Sequence, residues 1–344
     1  MIYQNVELHN VAEVRAVASG GVRLQRVPEA VRIRLNEKAR ERVLNPDCAE
    51  IRFVSEAPVA RIVVSSEETT EAILFHGDFQ SPGRFTITQG VQTIEVATPE
   101  RLLMLDPSFR AQMAFSPRVV RLVLGGSFAR APVIFHEVQG EGIRPPVPEE
   151  LPRLRYLAYG TSITHGSSAT GPHLSYVAQA ARRLKADVIN LGVGGSAYCE
   201  HAMADYIAAR DDWHLCTLAL SVNMIGAGFS LDAFYERVSY MVDTVAGANA
   251  GHPVACITIY PHCRDLVPQT VGPQDKGTAE EYRQRLRDAV RACPHPNVHL
   301  LEGAEILADI TGLTGDLVHP GDHGMIQMGE NLAARLKPLV QGRF

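Results

Sequence analysis

The chain has 344 residues, more than a single hydrophobic core usually serves, so two domains are expected. Its apolar fraction of 46% is ordinary for a globular protein, and a formal net charge of -5 supplies no basic footprint for nucleic acid or an anionic membrane. Small neutral or polar substrates remain open.

The N-terminus, Met1 to Asn10, alternates polar and apolar residues and lacks the charged start and apolar stretch of a secretory signal. No apolar run approaches the length of a membrane span. Cysteines at positions 48, 199, 216, 256, 263 and 293 form no C-x-x-C pair, which argues against a disulfide framework or a zinc site. The expectation is a cytoplasmic protein with free thiols.

From Ile51 to Val138 short runs alternate apolar and polar residues, as in Phe85-Thr86-Ile87 and Ile94-Glu95-Val96, which is the period of half-buried strands. Turn signals at Ser81-Pro82-Gly83 and Gly125-Gly126-Ser127 separate them. No helix is expected between Ile51 and Arg110, and an antiparallel β-sandwich is the natural packing. The stretch from Gly140 to Pro148 can neither continue a ladder nor start a helix. The expected division is a β-sandwich over 1–143, a linker over 144–153 and a second domain over 154–344.

Past the linker, apolar runs at 154–159, 188–193, 215–222, 254–260 and 298–301 alternate with amphipathic segments. That is the β-α rhythm of a parallel sheet. Thr278 and Glu281 form a capping-box pattern before Tyr282, Leu286, Ala289 and Val290. A last helix aligns Met325, Met328, Leu332, Leu336 and Leu339, and Trp213 reads as packing before its strand.

In an open parallel sheet, ligands bind beyond the carboxyl ends of the strands. The run Leu154–Tyr159 leads directly into Gly160-Thr161-Ser162-Ile163-Thr164-His165-Gly166, where a serine past a strand end can expose its hydroxyl and aim its N–H at an oxyanion. The same segment also reads as an ordinary Ser/Thr turn. After the second strand, Asn190-Leu191-Gly192-Val193-Gly194-Gly195-Ser196 lets backbone approach a ligand, and Gly195 could supply a second N–H. Gly192-x-Gly194-x-x-Ala197 fits a dinucleotide fingerprint as well, but the following strand ends in Ser221-Val222-Asn223-Met224 instead of an acidic residue. Asn223 there can donate to the same oxygen, or act as a turn or cap. Late in the chain, Asp316-Leu317-Val318-His319 can set a carboxylate against the imidazole Nδ1 while Nε2 faces a serine. Asp316, His319 and His323 could instead be metal ligands, although Pro320-Gly321 breaks the helix that would align them.

Taken in order, these blocks resemble the SGNH hydrolases, also called GDSL esterases, whose pattern is G-D-S-[IL], a glycine block, G-x-N-D and a late D-x-x-H. Thr161 replaces the usual Asp before the serine, and Met224 replaces the Asp after the asparagine. The resemblance spans residues 154 to 340. It implies a flavodoxin-like parallel sheet flanked by helices (the SGNH hydrolase fold), here preceded by a sandwich similar to the jelly-roll domains of some carbohydrate esterases and acyltransferases.

The resemblance implies Ser162 as nucleophile with His319 and Asp316 completing a triad, an oxyanion hole from Ser162, Gly195 and Asn223, and no cofactor or metal. The expected activity is hydrolysis of small or carbohydrate O-acyl esters through an acyl-enzyme. Transfer of the acyl group to an alcohol uses the same residues, and a carbohydrate-binding protein with an inactive hydrolase domain is the third possibility. His165, Tyr260 and His262 are further candidates for the pocket, and Asp322 competes with Asp316 for His319 but reads as a cap of the last helix. The short proline-rich linker keeps the domains close enough for the sandwich to shape the site.

Overall fold

The computed structural model describes residues 1–126, 131–267, 272 and 274–342. In the first part, two antiparallel sheets face each other. One contains the strands Ile2–Tyr3, Val6–His9, Glu50–Phe53, Val120–Leu124, Thr70–His76 and Phe79–Gln80, with Phe85–Ile87 also paired to Thr70–His76. The other contains Gln92–Ala97, Val59–Ser66, Val133–Gln139, Val22–Gln25 and Glu13–Ala16. Alternation in the strands explains the sandwich: Ile94 and Val96 are buried while Thr93 and Glu95 are not. Leu8, Ile51, Phe53, Ile62, Val64, Leu74, Leu122 and Phe135 fill the space between the sheets.

The second part is a five-stranded parallel sheet. Its strands are β1 (Leu154–Gly160), β2 (Ala186–Asn190), β3 (Leu215–Ala219), β4 (Val254–Ile257) and β5 (Val298–Leu301), laid out in the order β2-β1-β3-β4-β5. This is the flavodoxin-like order, with the chain reversing direction between β1 and β3. Both faces are covered, so every residue of β2, β3 and β4 is buried. Leu157 and Tyr159 of β1 pack on the face shared with Phe234, Met241, Tyr282 and Leu286. Tyr156 and Ala158 pack on the other, against Tyr176, Met325, Met328, Leu332 and Leu336. The Thr278–Glu281 capping box opens the helix Ala279–Ala292 as expected.

Three features differ from the sequence expectation. A one-turn helix at Glu100–Leu103 and a 3-10 helix at Pro107–Gln112 fall where no helix was expected, each too short to show helical periodicity. The linker is fixed in place: Arg144 pairs with Glu150 at 2.8 Å through both Nη atoms, and its backbone bridges Val54. Most consequential for function, Val27, Leu35, Ala39 and Val43 leave the sandwich and bury in the core of the parallel sheet beside Ile189, Leu191 and Met203. Among the described residues, no helix is long and apolar enough to cross a membrane. All six cysteines are free thiols, with Cys48, Cys199, Cys216 and Cys256 buried.

Candidate active site

β1 ends at Gly160, and the chain turns at once into the single helical turn Ser162–His165. Thr161 is its N-cap, accepting the Ile163 N–H through its hydroxyl, and Gly166 ends the turn at φ 92°. Capping is a task that Asp and Thr share, which explains how this position accepts Thr. Ser162 is 8% exposed, and the turn that carries it is tied down at Thr164, whose hydroxyl meets the Tyr176 hydroxyl at 2.8 Å and whose carbonyl accepts from Asn190 Nδ2 at 2.9 Å. Asn190 also accepts the Gly192 N–H at 2.8 Å, so the end of β2 is tied both to the serine turn and to the glycine loop.

The Ser162 hydroxyl donates to His319 Nε2 at 2.8 Å, and His319 Nδ1 donates to Asp316 Oδ2 at 2.6 Å. Asp316 Oδ1 accepts the Thr314 hydroxyl and the N–H groups of Val318 and His319 at 2.8–2.9 Å. Partial burial would raise the Asp316 carboxyl. The hydrogen bonds from the His319 N–H and imidazole, from Val318 N–H and from Thr314 outweigh it and hold the group well below the usual carboxylate range. Leu317, between the acid and the histidine, sits at φ 55°, a conformation that folds Asp316 back onto His319. The loop is closed by the Leu313–Pro320 bridge and by the Thr314 N–H donating to the His319 carbonyl.

Gly195, at φ 68°, and Asn223, on the short helix Val222–Gly226 past the end of β3, border the same cleft as Ser162 and His319. Asn223 Oδ1 accepts the Ala197 N–H at 3.2 Å, which orients the amide and leaves Nδ2 as a donor. Among the described residues, no hydrogen bond uses the N–H of Ser162 or of Gly195. The cleft measures about 650 Å³, within the ordinary range of a ligand site.

Of the three further candidates, only His165 borders this cleft. It is buried, and Nε2 pairs with the Asp47 carboxylate, which comes from the N-terminal half of the chain. Tyr260 and His262 are buried around a small separate pocket with Thr161, Ile163 and Val318, and His262 Nδ1 donates to the Tyr260 carbonyl at 3.1 Å. Asp322 turns away from His319 but does not cap. Gly321 holds the N-cap position, and the two Asp322 oxygens accept the Thr170 N–H at 2.7 Å and hydroxyl at 2.6 Å. The trio Asp316, His319 and His323 does not assemble as a ligand set, because both His319 nitrogens are engaged by Ser162 and Asp316. Trp213 is fully buried as packing.

Lys38, Arg42 and Asn45 also line the cleft, and no motif pointed to them. They reach it because Arg26, 2% exposed, crosses from the sandwich and donates to the carbonyls of Asn190 and Gly192 at 2.8–3.3 Å while holding the carbonyls of Arg42 and Asn45. One guanidinium thus joins the glycine loop to the segment that carries these three residues.

The family model of the GDSL-like lipase/acylhydrolase family matches residues 155–337. No curated protein matches the chain. Among solved structures, a salicylyl-acyltransferase from a tetracycline biosynthetic pathway is similar over 97% of both chains at 15% identity, with a TM-score of 0.75. A carbohydrate esterase family 2 enzyme from Corynascus thermopiles (Myceliophthora fergusii) is similar over 95% of this chain and 99% of its own, at 16% identity and a TM-score of 0.62. An acetyl xylan esterase from the rumen bacterium Butyrivibrio proteoclasticus covers 98% of this chain and 96% of its own, at 10% identity and a TM-score of 0.60. These likenesses concern the fold, and they extend through the N-terminal sandwich as well as the parallel sheet.

Proposed function

Because the chain belongs to the GDSL-like lipase/acylhydrolase family and is an SGNH serine hydrolase, we propose that it cleaves small O-acyl esters, including acylated carbohydrates, through an acyl-enzyme on Ser162. The observation that carries this reading is the continuous relay from the Ser162 hydroxyl to His319 Nε2 at 2.8 Å and from His319 Nδ1 to Asp316 at 2.6 Å.

In the first half-reaction Ser162 Oγ attacks the ester carbonyl carbon while His319 Nε2 takes the hydroxyl proton. Asp316 stays ionised, holds the imidazole in the tautomer with hydrogen on Nδ1 and stabilises the imidazolium. The tetrahedral oxyanion is received by the N–H groups of Ser162 and Gly195 and by Asn223 Nδ2, each such donor contributing about 2.7–4 kcal/mol to the transition state. Collapse breaks the bond to the alcohol, which leaves with the proton from His319. Water then attacks the acyl-enzyme with His319 as base, and Ser162 recovers its proton.

A second acceptor reading has one observation in its favour. The cleft, at about 650 Å³, has room for an alcohol beside the acyl group, and an alcohol in place of water gives transfer with the same residues. The similar folds include carbohydrate esterases and an acyltransferase, which span both outcomes.

A panel of aryl and acetylated-sugar esters, assayed with and without alcohol acceptors, tests the reading. Ser162→Ala should abolish turnover while keeping the circular dichroism spectrum, and a serine-directed phosphonate should label Ser162 alone. Full activity of the alanine variant, or labelling elsewhere, would overturn it.

A further inference from the structure

The cleft is electrostatically one-sided. Its lining among the described residues contains Lys38, Arg42 and Arg264 and no aspartate or glutamate, in a chain whose 38 acidic residues outnumber its 33 Lys and Arg. Arg264 is neutralised by Asp275, with Nε and Nη2 at 2.6–2.8 Å from its carboxylate. Lys38 and Arg42 are different: neither side chain makes a hydrogen bond or ion pair among the described residues.

Their placement follows from the local sequence. They stand four apart on the helix Glu37–Arg42, so they share one of its faces. Ala39 and Val43, the next residue on from each, are buried in the core of the parallel sheet and fix how that face is turned. A Cβ on Gly195 would come within 2.7 Å of Lys38 Nζ, so the ammonium stands directly over the glycine loop. Asn45 borders the same cleft and is 5% exposed. Two cations with no carboxylate partner, on the wall of a cleft that carries no acidic side chain among its described residues, set a positive field beside the nucleophile that suits an anionic group.

We propose that the natural ester is an anion, bearing a carboxylate or phosphate group apart from the scissile bond, and that Lys38 and Arg42 bind that group. The inference rests on the cleft at Ser162 being the ester site. Low-dielectric walls lined by one sign of charge concentrate the opposite ion and raise its rate of capture, an effect that salt weakens.

Two matched ester pairs test it on the full chain. The first sets 4-nitrophenyl hemisuccinate against methyl 4-nitrophenyl succinate, with the charge on the acyl side. The second sets 4-acetoxybenzoate against its methyl ester, with the charge on the alcohol side. In at least one pair the anionic member should have kcat/KM about tenfold above its neutral partner at low salt, and the ratio should shrink at high salt. In a folded Lys38→Gln, Arg42→Gln double variant that ratio should fall to about one. A ratio at or below one in both pairs for the wild type, or a ratio unchanged in the double variant, overturns the anion site while leaving the hydrolase reading intact. If no ester is turned over, the hydrolase reading is what fails, and calorimetric titration with inorganic phosphate then decides the anion site by itself. Binding that the double variant loses supports it, and no binding to the unsubstituted protein overturns it.

Discussion

Arg52 and Asp187 meet across the two halves of the molecule in a bidentate pair, Nη1 to Oδ2 at 2.8 Å and Nη2 to Oδ1 at 2.6 Å, with both side chains buried. Arg52 lies in a sandwich strand and Asp187 in β2 of the parallel sheet. Glu50 extends the pair, accepting from Arg52 Nε at 2.7 Å and from Arg121 at 2.6–2.7 Å. Removing one partner strands a charge with no access to water, so Arg52→Ala or Asp187→Ala should each cost about 3–5 kcal/mol, read from chemical denaturation. The Arg52→Met, Asp187→Leu double variant should cost clearly less than either single change. A loss equal to the sum of the two would show that no such coupling exists.

The same interface contributes to the acid sensitivity of the fold. His9 is buried, with Nε2 donating to the Val188 carbonyl at 2.6 Å. Burial, reinforced by Arg52, lowers its pKa below the ordinary 6.5. The unfolded chain therefore takes up a proton near pH 6.5 that the folded chain refuses, and stability falls as pH drops below that value. Burial pushes the Glu50 and Asp187 carboxyls up, but Arg121 and Arg52 outweigh it at Glu50 and Arg52 outweighs it at Asp187, and both end below their ordinary values of 4.5 and 3.8. Their contribution is complete above those values and is lost as pH falls through the lower folded ones. The melting temperature should decline in two stages, gently from about pH 6.5 and steeply below about pH 4. Burial also lowers His76, His173 and His214, so His9→Gln should weaken the first stage without removing it and leave the second as it is; a first stage unchanged by the substitution would assign it wholly to those other histidines.

Asp316 and Asp322 flank His319 in sequence, and only one is held against it. Asp316→Asn keeps the shape but offers an amide where the imidazole donates, so turnover should fall by about 10⁴-fold with little change in KM. Asp322→Asn disturbs only the tie to Thr170 and should change kcat by less than about tenfold. Steady-state kinetics on one aryl ester ranks the two, and the reverse order would mean that the ionised partner of His319 is misassigned.

Much of this site was legible in the sequence because its groups follow strand ends, and apolar runs locate strand ends well. Ser162, Gly195 and Asn223 each lie within three residues of the end of a run, while Asp316 and His319 are close enough together to be read as one loop. The second sheet was legible for the same reason, although runs such as 188–193 and 215–222 continue beyond the strands into buried loops. What could not be read is contact between distant segments. Arg26 reaches carbonyls of Asn190 and Gly192, Asp47 reaches His165, and Lys38 reaches the glycine loop, and none of these separations leaves a periodic trace. Asn190 reads in the sequence only as the start of a glycine loop that lets backbone approach a ligand, yet its amide joins β2 to the nucleophile turn. Residues 29–42 looked like part of the sandwich domain because the division was drawn from chain order, whereas their apolar face belongs to the other core.

Gly324 shows how such a contact governs chemistry without touching it. It sits in the first turn of the helix Asp322–Val340, and a Cβ there would lie 2.2 Å from the Gly312 carbonyl oxygen and 2.7 Å from its carbon. A Cβ on Gly312 would in turn lie 2.7 Å from Gly324 Cα. The obstacles are backbone atoms, so no side chain can swing aside. Gly312 is also where the loop carrying Asp316 and His319 begins, its carbonyl accepting the Gly321 N–H at 3.0 Å. In an open helix Gly→Ala would stabilise by about 0.8–1.0 kcal/mol. Here Gly324→Ala must push the helix and the loop apart, which moves His319 Nε2 relative to the Ser162 hydroxyl. A displacement of this kind, near 1 Å, costs about 10²-fold in rate. Gly324→Ala should therefore lower both the melting temperature and kcat, and the residual activity should rise as the acyl substrate becomes more reactive, since a misaligned base matters least for the easiest leaving group. A variant that is more stable than the parent and equally active would show that the loop is held by its own hydrogen bonds alone.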